Sequence, residues 1–228
     1  MKIGGIIPFT LADFPGRPAA VVFTAGCNLR CPFCHNPELV SGSEAVAIAE
    51  VLAFLAQRAG RLKGVCVSGG EPTLHPGLRE FLVQVKELGY AVKLDTNGTA
   101  PEHLAELLQD GLVDYTALDV KTSPAKYDLA CGGSVDPDLV AASAAVLRQF
   151  GGEYELRTTA VPGLVELADI AAVGSWLGAV PRYALQQFRP GKTLDPQYGL
   201  VAPHELPWFR AAAQLAGTWA AEVVIRGT

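Results

Sequence analysis

Short apolar, β-branched runs alternate with longer segments of helical periodicity along most of this chain, and that alternation constrains the fold more than any other feature. The short runs fall at 19–24, 64–68, 91–95, 115–120, 154–160 and 182–188. Each is too short for a buried helix and is bounded by turn residues, so six strands are expected. Helices are expected between them at 44–58 behind Ser43, 77–88 closed by Gly89, 101–108, 137–150 behind Asp136, and 166–177. Ser or Asp at a helix start accepts orphan N–H groups, Pro101 suits a first turn, and Gly89 suits the position past a last one. A further helix at 204–215 and a short strand at 221–225 follow.

Strict βα alternation implies a parallel sheet with right-handed crossovers. Six units are too few for a closed eight-stranded barrel of about 250 residues. The expected fold is therefore α/β: an open partial (βα)6 barrel with a curved, mainly parallel sheet. A doubly wound sheet is the alternative, because periodicity does not reveal strand order. At 228 residues a single domain spanning 1–228 is expected, with an N-terminal extension at 1–18, the (βα)6 core at 19–188, and a C-terminal loop, helix and strand at 189–228.

Composition narrows the partners. Hydrophobic residues make up 50% and charged residues 18%, a globular balance, and the formal net charge of -5 offers no broad cationic surface to a phosphate backbone or anionic lipid. Neither nucleic acid nor membrane is expected as a partner. The start Met1-Lys2-Ile3-Gly4 leads into Pro8 and Asp13 rather than a basic stretch and an apolar run, so no signal peptide is read and a cytoplasmic location is expected. Five cysteines, three of them within eight positions, argue for metal rather than a disulfide scaffold.

The unusual polar residues follow the strands. The cysteines come after the first, Gly69-Gly70-Glu71-Pro72 after the second, Asp95-Thr96-Asn97-Gly98 after the third, Asp119 and Lys121 at the fourth, Arg157 on the fifth, and Gln186-Gln187 on the sixth. Those ends converge on one face of a parallel α/β fold, where ligands bind. Cys27, Cys31 and Cys34 form a CxxxCxxC loop, and three thiolates this close can hold a [4Fe-4S] cluster at three irons, leaving one without a protein thiolate. Three other readings stay open: a zinc site completed by His35, c-type haem attachment at Cys31 to His35, and chance clustering of small buried hydrophobes. Glycines at 69 and 70 let backbone approach a ligand, Glu71 offers a carboxylate to an ammonium, and Asp95 and Asp119, if they converge, need a cation or a proton between them. The alternatives are a plain Gly-Gly turn, an Asx turn at 95–98, a solvated Lys121, and an ion pair of Arg157 with Glu153 or Glu155. Cys66 is expected in the core and Cys131 as a loop thiol.

The segment Phe23-Thr24-Ala25-Gly26-Cys27-Asn28-Leu29-Arg30-Cys31-Pro32-Phe33-Cys34-His35-Asn36 resembles the cluster loop of the radical S-adenosylmethionine (SAM) superfamily. Its Cys-His-Asn ending, with Asp13-Phe14-Pro15-Gly16-Arg17 upstream, is similar to the activating enzymes of glycyl radical enzymes. The stretches 68–72, 93–98, 119–121 and 157–163 look most like the anaerobic ribonucleoside-triphosphate reductase activating proteins. This resemblance implies that Cys27, Cys31 and Cys34 ligate a [4Fe-4S] cluster whose fourth iron is chelated by SAM, which is cleaved reductively to a 5′-deoxyadenosyl radical. It implies SAM contacts from Phe33, His35, Gly69, Gly70, Glu71, Pro72, Asp95, Asn97, Asp119, Lys121, Arg157 and Gln187, and a monovalent cation near Asp95 and Asp119. It further implies that a glycine Cα hydrogen of a partner, the anaerobic ribonucleotide reductase, is abstracted, with flavodoxin or ferredoxin as electron donor. Phe188-Arg189 stands where pyruvate formate-lyase activases carry a tyrosine and a histidine, which argues against that partner. The segment 13–17 either receives the partner's glycine-bearing loop or forms an ordinary Pro-Gly turn. Two alternatives remain: a small-molecule enzyme of the 7-carboxy-7-deazaguanine synthase type, and a metal-binding or electron-carrier module without SAM chemistry.

Overall fold

A computed structural model describes residues 1–43 and 45–228. Eight strands form one sheet in sequence order: β1 (Ile3–Thr10), β2 (Ala19–Thr24), β3 (Gly64–Gly69), β4 (Ala91–Thr96), β5 (Tyr115–Asp119), β6 (Glu153–Ala160), β7 (Val180–Gln187) and β8 (Ala220–Arg226). All pairs from β2 to β8 are parallel, as in Val67↔Leu94 and Leu118↔Leu156, and only β1 is antiparallel, to β2. The ends do not meet, so the sheet is an open partial barrel. The six expected strands are present within two residues of their expected bounds. The extension at 1–18 contains an eighth strand, β1, and the last strand completes the other edge.

The helices are α1 (Pro37–Val40), α2 (Ile48–Arg58), α3 (Leu78–Glu87), α4 (Pro101–Gln109), α5 (Tyr127–Cys131), α6 (Pro137–Phe150), α7 (Leu167–Leu177) and α8 (Leu206–Ala216). Side-chain capping sets the start of two of them. Asp136 accepts the Asp138 N–H ahead of α6, whose C-cap Gly151 has φ 65°, and Glu166 and Asp169 form a reciprocal capping box at α7. The helix expected at 44–58 is shorter: Glu44 lies outside the described residues and Ala47 is the N-cap of α2. The helix expected from 204 begins at Leu206, with Pro207 in its first turn. No helix among the described residues is long and apolar enough to cross a membrane.

Period-2 alternation gives each central strand two different faces. Val92, Leu94, Leu118 and Leu156 are buried in the main core, together with Leu82 of α3, Leu104 of α4, Leu147 of α6 and Val173 of α7. The alternate positions carry Lys93, Asp95, Tyr115, Asp119, Glu155 and Arg157, and fill the barrel interior with charge. Phe14, buried in the turn before β2, packs against Tyr115 at a ring separation of 6.1 Å together with Ala19, near the N-terminal ends of the strands. The 13–17 segment is thus part plug: Phe14 is core, while Asp13 lines the interior cavity.

Candidate active site

The cysteine loop leaves the C-terminal end of β2. Cys31 is buried, Cys27 and Cys34 are half-buried, and all three line one cavity of about 600 Å³ inside the barrel. Leu29 and Phe33 are buried beside them. The Leu29 N–H points at the Cys27 sulfur at 3.4 Å, and the Cys34 N–H donates to the Cys31 carbonyl at 3.0 Å. Burial pushes the Cys27 thiol up to about 11 and raises Cys34, whereas a hydrogen bond from Cys131 outweighs burial at Cys31 and lowers it to about 7. Among the described residues no three His, Cys, Asp or Glu side chains converge as ligands of a single metal ion. His35 is not aimed as a fourth ligand; its ring stacks on Phe188 at 5.7 Å.

Among the segments that fasten this loop are one behind it and one in front. Behind it, the Arg30 N–H donates to the Cys131 carbonyl at 2.8 Å, and Gly132 lies so close to the Arg30 carbonyl that a Cβ would overlap it. In front, a strap following β7 donates from Leu194 N–H to the Cys34 carbonyl at 3.1 Å and from Asp195 N–H to the Pro32 carbonyl at 2.9 Å. Lys192 pairs with Glu38 at 2.8 Å, and Tyr198 packs on Phe33 at a ring separation of 6.5 Å. Sequence reasoning missed both clasps. The Gly132-Gly133 pair was a visible signal for the first; the second uses backbone donors that carry no sequence signature.

The glycine pair at the end of β3 lines the cavity and is also a point of close backbone approach. Gly69 has φ 118°, and a Cβ at Gly69 or Gly70 would overlap the backbone of Thr24 or Gly26. What approaches these glycines is the start of the cysteine loop, held by Gly70 N–H to Thr24 O at 2.9 Å and Glu71 N–H to Gly26 O at 2.8 Å. Gly70→Ala is therefore expected to cost about 1–3 kcal/mol through overpacking, read as a lower midpoint in denaturant unfolding of the cluster-free protein.

Glu71 sits in a dense hydrogen-bond cluster. Its carboxylate is buried and accepts from Thr73 N–H at 3.1 Å, Thr73 Oγ at 2.6 Å, Thr96 Oγ at 2.7 Å and Asn97 N–H at 2.6 Å. The group joins the loops after β3 and β4, and the residue also lines the cavity. Burial raises its pKa, against these hydrogen bonds. Asn97 in turn donates from its side-chain nitrogen to Asn28 Oδ1 at 2.9 Å, and Pro72 opens a 3₁₀ turn, Pro72–Leu74. Glu71→Gln places an amide where donors already point, so a loss of about 1–3 kcal/mol in thermal unfolding is expected.

Asp95 and Asp119 do converge, as expected of ends of neighbouring strands. The cation between them is a side chain. Arg157 donates from Nε to Asp119 at 2.6 Å and from Nη1 to Asp95 at 3.2 Å. Lys121 adds a bond to Asp119 at 3.1 Å, Lys93 pairs with Asp95, and Ser68 Oγ donates to Asp95 at 3.1 Å. Burial alone would raise both carboxyls, but Arg157, with Lys121 or Lys93, outweighs it and holds them below the usual carboxylate range. Arg157 does not pair with Glu155, because Arg226 takes that carboxylate at 2.6 and 2.7 Å and Tyr115 Oη donates to it at 2.8 Å. Lys121 is half-buried, paired with Asp119, and lines the same cavity as the three cysteines. Gln187 lines the cavity, donates to the His204 carbonyl at 3.1 Å, and keeps a buried Oε1 without a partner. Cys66 is core, as expected, but Cys131 is buried rather than a loop-surface thiol.

Comparison with known proteins agrees with this arrangement. A protein of Methanocaldococcus jannaschii named as a glycyl-radical enzyme activating enzyme is 31% identical over 233 residues, covering 98% of this chain and 95% of that protein. A pyruvate formate-lyase-activating enzyme of Streptococcus mutans is 27% identical, covering 85% and 80%. The crystal structure of Streptococcus suis SuiB bound to S-adenosylmethionine superposes with a TM-score of 0.71 at 17% identity over 91% of this chain, which spans half of SuiB's length. The sequence pattern of the Radical SAM superfamily matches residues 21–171, well over half the chain, and with the cysteine loop at the mouth of an open parallel barrel this chain belongs to that superfamily.

Proposed function

We propose that this chain is a glycyl radical enzyme activase: it cleaves SAM reductively at a [4Fe-4S] cluster held by Cys27, Cys31 and Cys34, and abstracts a glycine Cα hydrogen from a partner enzyme. The proposed partner is the anaerobic ribonucleotide reductase, with flavodoxin or ferredoxin as electron donor. Superfamily membership implies the cluster and SAM. The residues fit both groups. Three thiols face one cavity without converging on a single ion, and about 600 Å³ lies within the range of small-molecule sites. When bound, the cluster supplies one electron and SAM the hydrogen-abstracting group.

The chain's own residues bind, orient and exclude water. Leu29 and Phe33 keep the cysteine end of the cavity apolar, and the strap covers the loop from outside. Phe33, His35 and Gln187 line the same cavity and would border the bound groups. Asp95, Asp119, Lys121 and Arg157 form a preorganised charged wall for the zwitterionic methionyl end of SAM. Gly69, Gly70, Glu71, Pro72 and Asn97 set the position of that wall against the cysteine loop. No acid–base dyad is needed for hydrogen abstraction by carbon. The observation that carries the reading is the placement of three thiols and this charged wall on one cavity, joined to similarity over nearly the full length of a glycyl-radical enzyme activating enzyme.

The test is anaerobic reconstitution followed by electron paramagnetic resonance of the reduced protein with and without SAM. A spectrum altered by SAM is expected, together with 5′-deoxyadenosine and a glycyl radical signal when the reductase is added. An unaltered spectrum rejects SAM chemistry, and turnover with a pterin alone rejects the macromolecular partner.

A further inference from the structure

Asn28, Asn97 and Thr99 close a ring of hydrogen bonds beside the cavity, and the proposed reaction uses neither Asn28 nor Thr99. Asn28 Nδ2 donates to Thr99 Oγ at 2.9 Å, Thr99 Oγ donates to Asn97 Oδ1 at 2.7 Å, and Asn97 Nδ2 donates to Asn28 Oδ1 at 2.9 Å. The Thr99 N–H also donates to Asn97 Oδ1 at 3.0 Å, which identifies that atom as the oxygen. The Asn97 nitrogen therefore faces Asn28, and the Asn28 nitrogen faces Thr99. Asn28 directly follows Cys27, whereas Asn97 and Thr99 follow β4. In the sheet β3 lies between β2 and β4, so no ladder bond can tie these two loops, and the ring joins them across the intervening strand.

We propose that Asn28 and Thr99 are positioning residues for the SAM site: their ring with Asn97 is a latch that fixes Cys27 against the cavity wall after β4. The inference rests on the proposed function, in which one ligand meets both the cysteine loop and that wall. Such a ligand binds more tightly when the two sides are set in register beforehand. Cys27 and Asn97 line the cavity, but Asn28 and Thr99 do not, so any effect of the latter pair on a ligand must pass through the former. The wall side of the latch is itself anchored, because the Asn97 N–H donates to the buried Glu71 carboxylate at 2.6 Å. The ring therefore restrains the cysteine loop, whose Asn28 is exposed, rather than the wall.

Two measurements test the latch, each on Thr99→Val, which keeps the side-chain shape without the hydroxyl, and on Thr99→Ser, which keeps the hydroxyl. Hydrogen exchange of the cluster-free proteins reads the latch directly. In Thr99→Val the amides of 26–30 should exchange about two- to tenfold faster, while those of β5 and β6 keep wild-type rates. Calorimetric titration of the reconstituted proteins with SAM should show a loss of affinity of the same size in Thr99→Val and none in Thr99→Ser. Asn28→Ala should weaken SAM at least as much, and adding Thr99→Val to it should weaken SAM no further, because the ring is already open. Unchanged exchange at 26–30 in Thr99→Val overturns the inference. So do faster exchange with undiminished SAM affinity, a serine variant as weak as the valine one, and losses that add in the double variant. A reconstituted wild-type protein that binds no SAM defeats the functional proposal instead, and the exchange comparison then decides the latch alone.

Discussion

Cys31→Ala is expected to leave the chain folded and colourless. The side chain is small, so its loss costs about 1 kcal/mol, a fall of roughly 2–4 °C in melting temperature for a chain of this length. Two remaining thiolates at Cys27 and Cys34 hold a cluster poorly, so iron content after anaerobic reconstitution should drop to near zero. Loss of an outer-shell partner of a metal costs up to about 100-fold in affinity or activity, and loss of a ligand should exceed that. Reductive SAM cleavage, followed as 5′-deoxyadenosine by chromatography, should therefore fall by more than about 100-fold. Retained cleavage in a chain with an intact melting curve would exclude Cys31 as an essential ligand.

Arg157→Met carries the largest expected effect on stability. It leaves Asp95 and Asp119 facing each other, with Lys93 and Lys121 as their remaining cationic partners and Ser68 still donating to Asp95. Breaking a buried ion pair costs about 3–5 kcal/mol, and the lower end applies because the Arg157 and Asp119 side chains are 18% and 24% exposed. The deficit depends on pH in a defined direction. In the intact protein both carboxyls titrate below the unfolded value near 4. Their contribution is fully present above that value and is lost as pH falls through the folded ones. Removing the guanidinium raises the folded values, so the deficit should be largest at neutral pH and narrow below about pH 4.5, where protonation relieves the repulsion. Denaturant unfolding of the cluster-free proteins at pH 7 and 4.5 measures it; an equal loss at both would assign Arg157 to packing alone. SAM binding should weaken in the same variant, with Arg157→Lys intermediate because it keeps charge without the fork.

Much of this was legible because the central strands carry two patterns at once. In 91–96 and 115–119 the apolar positions face the helices and the alternate ones supply Lys93, Asp95, Tyr115 and Asp119, so the same residues announced a strand and a polar interior. The first strand escaped notice because Gly4, Gly5 and Pro8 read as breakers, yet an edge strand tolerates them. The helix ending at Cys131 is too short to show periodicity. At Gly69 and Gly70 the need for close approach was visible, but not that the approaching group is the chain itself. Glu71 was read as offering its carboxylate to an ammonium; its bonds within the chain were not legible, because of its partners Thr73 is local, while Thr96 and Asn97 come from the next strand end and only the folded register brings them near.

The strap has a bearing on the order in which the molecule is made. Because sheet neighbours are sequence neighbours throughout, a ribosome can lay the strands down one against the next without waiting for distant partners. The cysteine loop is the exception: it emerges after the second strand, but the N–H groups that clamp Pro32 and Cys34 emerge five strands later, at Leu194 and Asp195. Iron delivered to a nascent chain would meet a loop still unfastened on one side, so maturation of the metal centre belongs after the strap has emerged.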